Sequence, residues 1–359
     1  MVHGVEKRRP AAASPLTARK MSEASLPASF ASLPKAELHL HLEGSIQPAT
    51  VCALTARHGV IFTEDEVRGQ YAYKDFLGFL EAFKWVTSFL REPQDYALIA
   101  RDLCEHLLTQ RVVYAEITLS VGIMILRKQS PERNFEALLR ATEPFERRGL
   151  RINWIFDAVR QFGVEAAMQV VESAGCCASK AIVAFGIGGD EMSIPTADFR
   201  PVYRRAAHLG LHKLMHAGEI GGPEKIREAV EILGVERVGH GISAIHDPGL
   251  MDLLAQRRIA LEVCPASNLR TGALARQLRH AGAAIPDHPL PRLFRHGIPV
   301  VLSTDDPAMF RTELVQEYAH ARDMGLTELE LIQLVSSSFD HAFLSDAERA
   351  KIQSLPATA

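Results

Sequence analysis

Histidine and carboxylate side chains recur in this sequence directly after short apolar segments. Six residues share this placement: His39, His41, His216, His240, Asp305 and Asp306. Buried imidazoles and carboxylates are costly unless a partner charge, a hydrogen bond or a metal ion compensates them. Three imidazoles and one carboxylate form a ligand set typical of zinc or a similar divalent ion. The pattern therefore predicts a metal site, and we expect one Zn²⁺ per subunit held by His39, His41, His216 and Asp305.

Three polar residues remain beside the predicted ion. Glu219 follows His216 by three residues and is free to carry a proton, unless it caps the helix predicted near Pro223. His240 stands between two glycines and can act as a base, unless it is a core histidine. Asp306 is free to accept a hydrogen bond from a substrate. Because zinc lowers the pKa of a bound water to about 7, these residues predict a metal-assisted hydrolase of unspecified substrate.

Composition excludes several other classes of protein. The 359 residues carry 40 Lys and Arg against 43 Asp and Glu, which is not the basic balance of a general nucleic-acid binder. The five cysteines include no CxxC pair, and the pattern of single-strand nucleic-acid deaminases, HxE followed by PCxxC, does not occur. No apolar run of 18 residues is present, and the basic first twenty residues lack the apolar stretch of a signal peptide. We therefore expect a cytoplasmic protein without nucleic-acid or membrane partners.

The spacing of apolar segments indicates the elements that position these residues. Eight short segments rich in β-branched residues are predicted to be strands: Lys35–His41, Val112–Leu119, Arg151–Asp157, Ala181–Ile187, Leu211–His216, Arg237–His240, Ala260–Val263 and Pro299–Ser303. Segments of helical period lie between them, namely Phe135–Arg147, Val164–Cys176, Pro223–Leu233 and Pro248–Arg257. Eight strand–helix units predict an α/β protein, a (β/α)₈ TIM barrel, whose chemistry lies at the carboxyl ends of the strands.

The connection between the first two strands is unusually long. It spans some seventy residues and includes the helical stretch Tyr73–Leu90. We expect extra helices there, either as a layer packed on the barrel or as a lid over its active-site face. Residues 1–30 are predicted to form a disordered arm, and residues 31–355 a single barrel domain.

At these residues the chain resembles the adenosine deaminase family of the metal-dependent amidohydrolase superfamily. The matching motifs are Pro34-Lys-Ala-Glu-Leu-His-Leu-His-Leu-Glu-Gly-Ser45, Gly188-Gly-Asp-Glu191, His216-Ala-Gly-Glu219, Gly239-His-Gly241, Glu262-Val-Cys-Pro-Ala-Ser-Asn268 and Ser303-Thr-Asp-Asp-Pro307. They occur in the order of the family, and the resemblance covers about residues 32 to 345.

The resemblance implies an activity and a role for each site residue. A purine nucleoside would lose its 6-amino group as ammonia, with zinc on the four residues chosen above. Glu219 would protonate N1 of the purine, and His240 would orient or deprotonate the water. Asp306 would bind N7, and the backbone N–H of Gly189 would bind N3. His41 and Glu43 would lie on the sugar side of the substrate.

The chain departs from the family pattern where the sugar would bind. Glu43 replaces the Asp that is common in adenosine deaminases, and the segment after the second strand reads Glu116-Ile-Thr-Leu-Ser-Val-Gly122 in place of an Arg followed by Pro-His. That segment resembles branches that act on 6-amino-6-deoxyfutalosine, which carries a bulky 5′ group. Adenosine and aminodeoxyfutalosine both remain open as substrates, with adenine as a further alternative. The oligomeric state is not predicted.

Two hypotheses from other classes fit the residues less well. A two-metal amidohydrolase that cleaves amides or phosphoesters would require a bridging lysine or acid on the fourth strand, and Ala181–Ile187 has neither. A non-catalytic purine-binding protein would not require Glu219 beside four metal ligands. The deaminase hypothesis accounts for more of the motifs than either alternative.

Overall fold

A computed structural model describes residues 30 and 32–353 as a barrel of eight parallel strands surrounded by helices. The strands are β1 Lys35–His41, β2 Val112–Leu119, β3 Arg151–Val159, β4 Ile182–Gly188, β5 His212–Ala217, β6 Arg237–His240, β7 Ala260–Val263 and β8 Val300–Leu302. Each strand pairs with the next one along the chain. A bridge between Leu40 and Asp305 joins the segment after β8 to β1 and closes the barrel. The predicted (β/α)₈ class is confirmed.

Strand boundaries agree with the sequence prediction at four strands and shift by one or two residues at the others. Strands β1, β2, β6 and β7 have the predicted limits. Strand β3 continues two residues past Asp157, because Ala158 and Val159 still pair with Ile187 and Gly188 of β4. These boundary shifts depend on how each strand pairs with its neighbour, and the hydropathy of a single segment does not predict that pairing.

Seventeen α-helices occur among the described residues. They are α1 Pro48–Arg57, α2 Glu64–Gln70, α3 Phe76–Thr87, α4 Pro93–Thr109, α5 Val121–Leu126, α6 Pro131–Glu146, α7 Val164–Cys177, α8 Arg200–His208, α9 Pro223–Glu228, α10 Pro248–Arg257, α11 Pro265–Arg270, α12 Ala273–Leu278, α13 Leu290–Arg295, α14 Pro307–Phe310, α15 Leu314–Asp323, α16 Glu328–Asp340 and α17 Asp346–Gln353. A π-helical turn at Ala229–Leu233 extends α9 over the rest of the predicted segment. None of the helices described is long and apolar enough to cross a bilayer.

The long connection between β1 and β2 forms the four helices α1 to α4, so the predicted extra helices are present. Helix α3 is shorter than the predicted Tyr73–Leu90. The Asp75 side chain accepts a hydrogen bond from Gly78 N at 2.9 Å and begins the helix there. Most of the predicted arm, residues 1–30, lies outside the described residues, but Phe30 is buried and its ring lies 5.1 Å from that of Tyr318.

A buried ion-pair network crosses the barrel interior below its carboxyl-terminal mouth. Arg237 on β6 donates to Glu262 on β7 at 2.6 Å and to Glu116 on β2 at 2.5 Å. Its third contact is the backbone oxygen of His341 at 2.8 Å, and its guanidinium lies over the ring of Phe343. All three charged side chains are almost fully buried. One cation therefore compensates two carboxylates and ties three elements of the barrel to the segment after α16.

Replacement of Arg237 by Ala is expected to lower the free energy of unfolding by about 3–5 kcal/mol, because two buried carboxylates lose their cation. Urea denaturation measures the loss. Arg295→Ala is the matched control, since Arg295 pairs with Glu330 at the surface and its removal should change stability by less than about 1 kcal/mol. Equal losses in the two variants would contradict this account of the network.

Candidate active site

The predicted metal-site residues lie together at the carboxyl-terminal mouth of the barrel. His39 and His41 end β1, His216 lies near the end of β5, and His240 is the last residue of β6. Asp305 follows β8, where its N–H donates to His39 O at 3.0 Å and its carbonyl accepts from His41 N at 2.8 Å. These backbone bonds hold the end of β8 against β1, so residues 264 or more positions apart share one site.

The four imidazoles form a compact cluster. The ring centroids of His39 and His216 are 4.6 Å apart, and those of His39 and His240 are 5.1 Å apart. His41 lies 5.2 Å from His39 and 5.4 Å from His216. All four residues are at least nine-tenths buried. Four imidazoles at this separation present several ring nitrogens to the same small volume.

Asp305 is the carboxylate at the centre of this cluster. Its Oδ1 lies 2.8 Å from His41 Nδ1 and 3.4 Å from His39 Nε2. Its Oδ2 accepts a hydrogen bond from the Ser267 hydroxyl at 2.7 Å. Burial alone would raise the pKa of Asp305, but its contacts with His39 and His41 hold that pKa well below its ordinary value. Asp305 is therefore a carboxylate, the form that binds a cation.

The donor set fits a bound divalent cation. His39, His216, His240 and Asp305 offer ligand atoms within 4.8 Å of one another, and His41, Asp305 and Asp306 form a second such group. His216 Nδ1 is buried and has no hydrogen-bond partner, while the buried His39 Nε2 and His41 Nδ1 lie near the Asp305 carboxylate without making a hydrogen bond of normal geometry. Buried ring nitrogens without partners are costly unless an ion or water meets them. Imidazole nitrogens with one carboxylate are the donors that zinc prefers.

Glu262 orients His39 from the side away from this cluster. Its Oε2 lies 2.7 Å from His39 Nδ1, while its Oε1 accepts from Arg237. Burial alone would lower the pKa of His39, but its contacts with the carboxylates of Asp305 and Glu262 raise it to about 9. Carboxylate partners of this kind fix the ring orientation and tautomer of metal-binding histidines. Because Glu262 contacts Nδ1 of His39, the other ring nitrogen, Nε2, is the one that faces the cluster.

Glu219 lies beside His240 in the same mouth, so the structure brings together the predicted proton donor and base. Its Oε2 is 3.6 Å from His240 Nε2, and its Oε1 accepts from the Thr271 hydroxyl at 3.1 Å. Burial, followed by the negative charges of Asp305 and Glu191, raises the pKa of Glu219 well above its ordinary value. A carboxyl group held in the protonated form can donate a proton to a bound ligand.

The loop that carries Glu219 is built around Glu191. The two oxygens of Glu191 accept hydrogen bonds from four consecutive backbone N–H groups, those of Gly218, Glu219, Ile220 and Gly221, at 2.8 to 3.2 Å. Gln277 binds the carbonyl oxygens of Glu219 and Gly221 from the other side. Glu219 is only 6% exposed, so it is not the surface helix cap that the alternative interpretation predicts.

Asp306 lies next to His41, with its Oδ2 at 3.5 Å from His41 Nδ1. Burial and the neighbouring charge of Asp305 raise the pKa of Asp306 to about 7. Its Oδ1 is buried and has no partner, and a Cβ on Gly44 would lie 1.7 Å from that atom. Glycine at position 44 therefore leaves the space that this carboxyl group occupies.

Of the remaining predicted contacts, Gly189 lines the cavity and Glu43 does not. Both oxygens of Glu43 accept from Ser120, one from its N–H at 3.1 Å and one from its hydroxyl at 3.2 Å. Ser120, and not Glu43, forms the cavity wall. Gly189 has φ +96°, and a Cβ there would lie 2.5 Å from Gln161 Oε1. Gln161 thus packs where only glycine leaves room.

The outer half of the cavity is apolar, and helix α3 supplies much of it. The cavity of about 220 Å³ is lined on this side by Phe76, Phe79, Leu80, Phe83, Ile123, Val159, Phe162 and Phe310. Lys84 is the one lysine or arginine among the residues described in its lining. The helices inserted after β1 therefore cover the mouth of the barrel and contribute an apolar wall to it.

Sequence reasoning did not assign several residues that organise this site. Asp157, Glu191, Glu262, Asn268, Thr271, Gln277 and His288 are buried polar groups that contact the site or line it. Three of them lie in motifs that carry the family resemblance. Glu191 ends the motif Gly188–Glu191, and Glu262 and Asn268 are the first and last residues of the motif that begins on β7. For the residues that lie on strands, Glu262 and Asp157, the available signal was a polar residue within an otherwise apolar predicted strand.

Comparisons with known proteins agree with this geometry. The sequence profile described as adenosine deaminase matches residues 34–358. An aminodeoxyfutalosine deaminase from Streptomyces avermitilis is 37% identical over 331 residues, covering 90% of each chain. An adenosine deaminase from Vibrio cholerae is 33% identical over 328 residues, covering 89% of this chain and 96% of that one. The crystal structure of an adenine deaminase from Arthrobacter aurescens superposes with a TM-score of 0.82 at 29% identity, covering 89% and 96% of the chains.

Glu191→Ala is expected to speed amide exchange in the Glu219 loop by about tenfold or more, because four backbone N–H groups lose a charged acceptor. Hydrogen exchange followed by mass spectrometry of peptides covering residues 218–222 checks this. Exchange in β2 should be unchanged. Glu224→Ala is the control, since Glu224 accepts only from the exposed Gly222 N–H. Unchanged exchange in the Glu191 variant would contradict the role given to this carboxylate.

Proposed function

Since the chain belongs to the adenosine deaminase family and is a hydrolytic deaminase, we propose that its substrate is a 6-aminopurine nucleoside with a bulky 5′ substituent that packs on an apolar wall. Aminodeoxyfutalosine is the named compound of this kind. The observation that carries the proposal is one cavity with two unlike halves. Its inner end holds Glu219, His240 and Asp305, and its outer end is walled by aromatic and aliphatic side chains. The similarity to the Streptomyces avermitilis enzyme supports the same substrate.

A zinc ion would be held by His39, His41, His216 and Asp305, whose buried nitrogens and carboxylate fit it. When bound, zinc supplies Lewis acidity that makes water a nucleophile at neutral pH. The chain's own residues supply orientation: Glu262 fixes His39, and Ser267 fixes Asp305. Because these partners are buried, the ligands keep one arrangement without reorganisation.

The reaction adds water to C6 and releases ammonia. Glu219, held in its protonated form, gives a proton to N1 as the water oxygen bonds to C6. One proton of the water passes to His240 or to Asp305, which lie 3.8 Å apart at Nε2 and Oδ2. The departing amino group takes up that proton and leaves as ammonia. The second water proton passes to the Glu219 carboxylate and restores its protonated form, and C6 becomes a carbonyl. The products are a 6-oxopurine with a proton on N1 and one ammonia, so atoms balance.

The purine would be oriented by groups at the inner end of the cavity. Asp306 has an unpartnered buried Oδ1 that would meet N7, and its raised pKa allows it to donate as well as accept. The backbone of Gly189 would meet N3. On the sugar side, His41 and Ser120 line the cavity, and Glu43 would act through Ser120. A 5′ substituent would then extend toward Phe79 and Phe83.

Adenosine is the second candidate, because the contacts proposed for the inner half of the cavity involve the purine and not the 5′ position of the sugar. A small 5′ hydroxymethyl group would leave the apolar wall of α3 exposed to water inside the cavity. Burying apolar area contributes about 25 cal/mol per Å². A substrate that covers this wall should therefore bind more tightly than adenosine, and adenine, which lacks a sugar, should bind more weakly than both.

Glu219→Gln is expected to lower kcat by about 10²–10⁴-fold, the usual contribution of a positioned acid, while the variant keeps its metal. Ammonia release measures turnover, and elemental analysis of the purified protein measures zinc. His39→Ala is the matched variant, in which zinc content itself should fall. Full activity in Glu219→Gln would contradict the acid role, and zinc retained by His39→Ala would contradict the ligand set.

Phe83→Ala is expected to raise KM for aminodeoxyfutalosine by about tenfold, because it removes apolar contact with the 5′ substituent, and to change KM for adenosine by less than about twofold. Steady-state ammonia release on both compounds and on adenine, at matched concentrations, checks this. Leu77→Ala is the control on the same helix, since Leu77 is 72% exposed and does not line the cavity. A wild-type preference for adenosine, with equal effects of Phe83→Ala on both nucleosides, would refute the substrate assignment.

A further inference from the structure

A chain of hydrogen bonds runs from His240 away from the cavity and ends on a backbone N–H. His240 Nδ1 lies 3.1 Å from Asn268 Nδ2. The other amide atom, Asn268 Oδ1, lies 3.2 Å from His288 Nε2. On the far side of that ring, His288 Nδ1 accepts from Leu290 N at 3.1 Å. The three side chains are each at least nine-tenths buried.

The direction of every bond in this chain follows from its last member. A backbone N–H can only donate, so the Leu290 contact requires a lone pair on His288 Nδ1. A neutral imidazole carries one proton, which must then be on Nε2. Burial lowers the pKa of His288 to about 3, so the ring is neutral. His288 Nε2 therefore donates to Asn268, which must present its oxygen there.

The orientation of the Asn268 amide settles the tautomer of His240. With the oxygen facing His288, the NH₂ group faces His240 and donates to its Nδ1. The opposite amide orientation would make both nitrogens of His288 acceptors, which a neutral imidazole cannot satisfy. A His240 ring whose Nδ1 accepts a hydrogen bond carries its proton on Nε2.

We propose that Asn268 and His288 are positioning residues that hold His240 as the Nε2–H tautomer, so that His240 donates a hydrogen bond to the oxygen that adds to C6. The proposal rests on the proposed deaminase function. His240 Nε2 lies in the cavity lining, 3.6 Å from Glu219 Oε2 and 3.8 Å from Asp305 Oδ2. An N–H at this point faces two carboxyl groups and the place where negative charge develops on oxygen.

Two alternatives for His240 are excluded by this tautomer. A protonated Nε2 has no lone pair for a metal ion, so His240 is not a ligand although its nitrogen lies within reach of the other donors. It also has no lone pair to take a proton from water, so the acceptor is the carboxylate of Asp305. The water proton passes to Asp305 and then to the departing amino group, while His240 keeps its own proton throughout.

The tautomer is measured directly by ¹⁵N–¹H correlation spectra of the imidazole rings in the full-length zinc-loaded protein at neutral pH. Signals of His240 and His288 are assigned by comparison with His240→Gln and His288→Gln. Both rings are expected to carry their proton on Nε2. A proton on Nδ1 of His240 would overturn the proposal, whatever the enzyme turns over. Because no substrate is needed, the measurement stays informative if no nucleoside is deaminated.

Three variants test the consequence for turnover. Asn268→Leu removes the donor to His240, and kcat is expected to fall by about 10²-fold with KM changed less than about twofold, as when one donor to a developing oxyanion is lost. His288→Leu should reduce kcat in the same direction, while His288→Gln keeps an amide donor toward Asn268 and should restore kcat to within about threefold. Circular dichroism and zinc content report whether each variant is folded and loaded.

The outcomes separate a positioning role from a structural one. A split between His288→Gln and His288→Leu, with Nδ1–H signal appearing for His240 only in the latter, supports the proposal. A folded, zinc-loaded Asn268→Leu with wild-type kcat and an unchanged Nε2–H signal overturns it. Equal losses of kcat in both His288 variants, with the tautomer of His240 unchanged, also overturn it. Absence of ammonia from every nucleoside, with the Nε2–H signal intact in the wild type, would refute the proposed function alone.

Discussion

The need to compensate charges that are buried away from solvent is the constraint on which the rest of this structure depends. The mouth of the barrel collects four imidazoles and several carboxyl groups that are at least nine-tenths buried. Each buried charge requires a partner, because removal from water is costly in free energy. Arg237 compensates Glu116 and Glu262, Glu262 compensates His39, and Asp305 compensates His39 and His41. The ring nitrogens that face Asp305, together with the unpartnered Nδ1 of His216, are the donors that could hold a divalent cation.

Strands and loops contribute different chemistry to this site. The strand ends supply the side chains that we propose to bind a cation, and their positions follow from parallel pairing and from the bridge between Leu40 and Asp305. The loop after β5 supplies Glu219, and that loop is held by the hydrogen bonds to Glu191 and Gln277. The proposed ion ligands thus lie at the ends of paired strands. The proposed proton donor lies on a loop that is held by hydrogen bonds from buried side chains.

The repeated apolar segments were enough to predict the barrel, because eight strands of similar pattern can bury their surfaces together in few ways. The placement of His39, His41, His216, His240 and Asp305 at strand ends was enough to predict that they meet. Helix lengths in the insertion were less predictable, since capping by Asp75 decides where α3 begins.

The hydrogen-bond partners of the site residues could not be predicted from the sequence pattern. Glu262 and His39 are 223 positions apart, and His240 reaches His288 only through Asn268. Such pairs depend on rotamers and strand register, which local hydropathy does not contain. The apolar wall of the cavity was equally hidden, because Phe79 and Phe83 fit the period of any helix packed on a barrel.

Two site residues, His240 and Asp305, have left-handed backbones, with φ of 61° and 68°. A residue other than glycine, asparagine or aspartate pays a steric penalty there, and such strain costs of order 1–3 kcal/mol per residue. The backbone at His240 would be relaxed by glycine, which would remove the imidazole. The strain at His240 is therefore a cost in stability that comes with placing an imidazole at this point of the barrel mouth. A stabilised version of this protein should gain its stability outside the strand ends.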